Sequence, residues 1–67
     1  MESVGTALPK EMARVREVLG HYKEIGSAGM FGAAMIEQSL RQADEAVISG
    51  DIVAILRAYE DLKGIKD

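Results

Sequence analysis

Apolar residues recur at spacings of three and four along most of this chain, and the pattern breaks at two glycines. Leu8, Met12, Val15, Leu19 and Tyr22 form a first stripe, which Val18 and Ile25 widen. Ala33, Ile36, Leu40, Ala43 and Val47 form a second, and Ile52, Ile55, Leu56, Tyr59 and Leu62 a third. On a helix of 3.6 residues per turn, each set lies on one face. Gly26 and Gly50 fall between the sets, where glycine stops a helix by taking a positive φ. The expected fold is all-α: a three-helix domain with a long central helix, its helices at about 9–25, 28–49 and 52–63. No segment combines alternation with β-branched enrichment, so no sheet is expected.

Local signals place the boundaries. Pro9 suits the first position of a helix, where its missing N–H has no intrahelical partner to lose. Glu11 then lies in the first turn, where negative charge is favourable. Thr6 is an alternative cap that starts the helix one turn earlier. Ser27 is the expected N-cap of the second helix and Asp51 that of the third. Gly64 ends the third helix. Residues 1–67 read as one helical domain, with 1–7 and 65–67 as flexible ends. Gly20, inside the first helix, costs up to about 1 kcal/mol against alanine and points to a close helix approach there.

With 67 residues, the chain buries only about 60% of its unfolded surface, which makes its stability marginal. The usual supplements are missing. There is no cysteine, hence no disulfide and no thiolate metal site, and His21 is the single histidine. Regular helix packing, or homodimerisation to complete the core, is the expected remedy. The start, Met-Glu-Ser-Val-Gly, is not basic and leads into no apolar run, so no signal peptide is expected. No run approaches the ~20 apolar residues of a membrane span. The expected location is cytoplasmic.

Four constellations hold residue types that can carry chemistry. Gly26, Gly29 and Gly32 could bare N–H groups to an anion, but no Gly-Lys-Ser/Thr follows and no strand precedes them. The Gly-x-x-Gly turn of KH modules needs a sheet and basic residues, whereas Ser27 and Ala28 stand here. Close packing beside Phe31 is the plainer reading. Glu17, His21 and Glu24 share one side of a helix, yet the spacing is Glu-x-x-x-His, and it occurs once. A di-iron bundle wants Glu-x-x-His pairs. Asp44 and Glu45, with Glu37 and Arg41 upstream, and Arg57 with Asp61, read as solvated ion-pairing faces. Lys10, Arg14, Arg16 and Lys23 on the first helix are interspersed with Glu11, Glu17 and Glu24. A net charge of -3 also argues against a broad phosphate-binding surface. No catalytic, cofactor or metal residues are assigned.

Surplus apolar surface is the positive functional signal. Val18, Ile25, Met30, Met35, Ile48 and Val53 cannot all face one small core. Exposed apolar patches of this kind serve protein contacts, and methionine suits adaptable ones. The expected function is a non-enzymatic interaction or adaptor protein, binding a copy of itself or another protein. Its contact residues are Val18, Ile25, Met30, Phe31 and Met35. The alternative is a small nucleic-acid-associated regulator using Lys10, Arg14 and Arg16.

Overall fold

A computed structural model of the chain describes residues 3–66 and shows three helices packed against one another. Helix α1 spans Val4–Glu24, α2 Met30–Ser49 and α3 Ile52–Lys63. A 3₁₀ turn, Gly26–Gly29, joins α1 to α2. Each helix contacts the other two. None is long and apolar enough to cross a membrane.

Helix α1 starts earlier than the Pro9 signal suggests, so Val4–Ala7 are helical and Pro9 lies inside. Pro9 removes the N–H that would meet the Gly5 carbonyl, a cost that burial of Leu8 offsets. Ser3 is the N-cap, and its carbonyl accepts from Thr6 and Ala7. Its hydroxyl lies 3.3 Å from that of Thr6. The early start makes α1, at 21 residues, fractionally longer than the central α2, at 20. Met1, Glu2 and Asp67, parts of the expected flexible ends, lie outside the described residues.

The core is aliphatic. Leu8, Met12, Val15 and Val18 come from α1, Ile36 and Leu40 from α2, and Leu62 from α3. Alanine fills the seam between α2 and α3: Ala43 and Ala46 on one side, Ala58 on the other. The turn at Gly50 and Asp51 sets that seam. Gly50 adopts φ 70° and donates to the Ala46 and Val47 carbonyls. The Asp51 carboxylate accepts from the Val53 N–H at 3.0 Å, capping α3 as expected. So short a link brings α3 down on the Ala43–Ala46 edge and turns Val47 outward, against the stripe reading. On α3 the buried edge passes through Ala58 and Leu62, with Ile55 and Tyr59 half-buried. Ile52 and Leu56, expected inside, face solvent.

The other junction is shaped by glycine. Gly26, φ 85°, follows the C-cap Ile25 of α1. Ser27 lies within the 3₁₀ turn, and α2 is capped by Gly29 with no side-chain bond, so the expected Ser27 cap is not used. Gly29 is buried so close to α1 that an added Cβ would collide with the Tyr22 carbonyl. At Gly32 a Cβ would stand 2.5 Å from the Tyr22 ring. The close approach is thus to Tyr22, while Phe31 points away. Gly20 has open space around it, contrary to the approach expected there.

The two kinds of glycine should respond oppositely. Gly20→Ala should raise the unfolding free energy by about 0.5–1 kcal/mol, the helical cost of an interior glycine. Gly29→Ala should lower it by about 2 kcal/mol or more, because backbone must move. Urea denaturation followed by circular dichroism measures both, and a loss at Gly20 would contradict the open environment.

Candidate interaction surface

The position of α3 decides what stays uncovered. At ~1.5 Å per residue, α3 is about 18 Å long and α1 about 31 Å. Arg14, midway along α1, receives the end of α3. Its Nη1 donates to the Ile65 carbonyl and its Nη2 to that of Leu62, each at 2.9 Å. Its Nε donates to Glu11 Oε2 at 2.8 Å, which holds the guanidinium in place. The Leu62 carbonyl belongs to the last turn of α3 and the Ile65 carbonyl lies two residues past its end, where a cation is favourable. Ile65 follows and packs against the core.

Val18 sits one helical turn beyond Arg14 on the same face and is only 4% exposed. Its assignment as a contact residue is therefore corrected: it is core. The last turn of α3 and the Ile65 segment give that part of α1 a third layer, which a sequence stripe cannot show.

The remaining contact residues are exposed. Ile25, Met30, Phe31 and Met35 range from 60% to 80%, with Phe31 highest. They cluster at the closed end of the α1–α2 hairpin, past the reach of α3. Ile25 lies beside Gly29, and Met30, Phe31, Ala34 and Met35 follow on the outer side of α2. On the α1 side, Met30 and Ala34 border an open groove of about 350 Å³ flanked by Lys23 and Glu37. Those two pair at 3.3 Å across the helices, in place of the expected pair within α2 between Glu37 and Arg41. Arg41 bonds the Gln38 side chain instead.

A second apolar area occupies the opposite end. Val47 and Ile48 close α2, and Ile52, Val53 and Leu56 lie on α3. Ile48 and Val53 belong to the surplus read from sequence. Stripe periodicity places Val47, Ile52 and Leu56 in the core, and the fold leaves them about half exposed because α3 packs through Ala58 and Leu62 instead. Arg57 and Asp61 line a shallow groove between α2 and α3 with Glu45 and Asp51, over a floor of Ala46, Ala54 and Ala58.

The other constellations are dispersed or already engaged. Glu17, His21 and Glu24 are exposed on α1, and among the described residues no three His, Asp or Glu side chains are grouped to hold a metal. No polar or charged side chain is buried among the described residues. Of the basic set, Arg14 holds α3, Arg16 lies 4.0 Å from Asp44 and Lys23 pairs with Glu37. No known protein family, curated protein or solved structure matches the chain.

Arg14 is the testable hinge of this arrangement. Arg14→Met should cost about 1–3 kcal/mol, since two carbonyls lose a charged donor. It should also speed amide exchange in the last turn of α3. Arg14→Lys should recover little, because one ammonium cannot replace a planar fork. Full stability with the lysine variant would show that charge alone suffices.

Proposed function

We propose that this chain is a non-enzymatic protein-interaction domain whose contact face is the closed end of the α1–α2 hairpin. The observation that carries the reading is Phe31. It is the single phenylalanine of the chain, it is 80% exposed, and Ile25, Met30 and Met35 are exposed at the same end of the hairpin. Aromatic and methionine side chains are enriched at interface centres, and charged ones are depleted there. A cytoplasmic location accords with the reading. Nucleic-acid binding is the weaker reading, because phosphate contacts by Arg14 would first release α3.

A contact face and a core respond differently to polar substitution. At a protein concentration low enough that association adds nothing to stability, Phe31→Ser with Met35→Ser should leave the single chain within about 0.5 kcal/mol of the parent, as exposed positions do. Val18→Ser should cost about 2 kcal/mol or more. A benzophenone side chain at position 31, irradiated in the expressing cell, should give an adduct of defined mass. The same group at the exposed Glu60 should not. A double variant as unstable as the Val18 one, or no adduct from position 31, would remove the proposal.

A further inference from the structure

We infer that the partner at this face is a second copy of the same chain, docked hairpin end to hairpin end about a two-fold axis. The two α1–α2 ends then form a four-helix contact. The inference rests on the interaction reading above and names its partner.

The first support is shape. The radius of gyration is 12.2 Å, whereas a compact chain of this length has about 10.9 Å. The accessible surface is 4568 Å², against roughly 4,100 Å² for a compact monomer of this mass. The hairpin end contributes to this elongation, because the end of α3 is held at Arg14 while α1 and α2 run on beyond it. Two helices cannot enclose a core, and four can.

The second support is area. Ile25, Met30, Phe31 and Met35 together expose on the order of 500 Å², and the flanking Ala28 and Ala34 enlarge the patch towards the ~800 Å² per partner of a stable interface. Pairing the patch with itself doubles this buried surface without demanding a matching patch elsewhere. The methionines can adjust to a symmetric mate.

The third support is charge. From Ile25 to Ile36 no residue is charged, in a chain that is 28% charged and carries a net -3. Two copies repel weakly over the rest of their surfaces, and at this end like meets like without a Coulomb cost. An oppositely charged partner would find no charge on this segment to read. At its border stand Lys23, Glu24 and Glu37; Lys23 and Glu37, which pair within one chain, are opposite in sign and can also face each other across a two-fold axis, while Glu24 leaves one excess negative charge per copy.

The absence of cysteine makes the test clean. Ala34→Cys puts one thiol between Met30 and Phe31 and leaves all four apolar residues in place. Ile48→Cys puts one at the opposite apolar end. Light scattering after size exclusion should give twice 7.2 kDa for the parent at high micromolar concentration. Phe31→Asp should give a single-chain mass with unchanged helical circular dichroism. Mild oxidation should link Ala34→Cys chains several-fold faster than Ile48→Cys chains. A monomeric parent, or equal or faster linking through position 48, would overturn the inference. A monomeric parent that still yields the position 31 photo-adduct, at a mass other than a dimer's, discards self-pairing and keeps the interaction reading. A monomer with no adduct discards both.

Discussion

The guanidinium of Arg14 fixes where the third helix ends, and most of the surface follows from that point. Two carbonyls of the α3 terminus converge on one side chain. Glu11 steadies it from the preceding turn. Below this clasp, three helices enclose Leu8, Met12, Val15 and Leu62. Beyond Val18, which the end of α3 still covers, α1 and α2 continue past the third helix, and Ile25, Met30, Phe31 and Met35 are left facing water. The exposed patch lies past the point where α3 ends.

The stripes made the helix count, the breaks at Gly26 and Gly50, and the Asp51 cap legible in the sequence. Those features are local, set by the backbone within a few residues. What could not be read was which edge of each stripe the neighbour would take. Val47 and Ala46 are adjacent and both apolar, and only the approach of α3 through a short turn selects the alanine. Val18 and Ile25 lie on one face seven residues apart, and the end of α3 divides them into core and surface. The start of α1 was hidden for a related reason. Proline is a strong local signal, and the burial of Leu8 just before it is a tertiary one.

The site was legible in the same partial way. A chain of this size with 48% apolar residues had to leave some of them outside, and Met30, Phe31 and Met35 were identifiable as candidates. The second exposed area, through Ile48, Ile52 and Leu56, was only half visible because periodicity counted two of those three as core. The basic residues of α1 illustrate the converse. Their spacing resembles an available cationic face, and in the fold Arg14 and Lys23 serve as internal ties.

The glycines at the hairpin end have a consequence for how such a protein could change over time. Gly29 and Gly32 are held by the backbone and ring of Tyr22, so substitution there is resisted by geometry. The outward residues interleaved with them, Met30, Phe31 and Met35, touch little of their own chain. Selection can therefore act on the two groups separately. Recognition can drift through many side-chain combinations at the outward positions while the glycine lock keeps the scaffold constant. Specificity at this end is inexpensive to rewrite, and the fold is insulated from the rewriting.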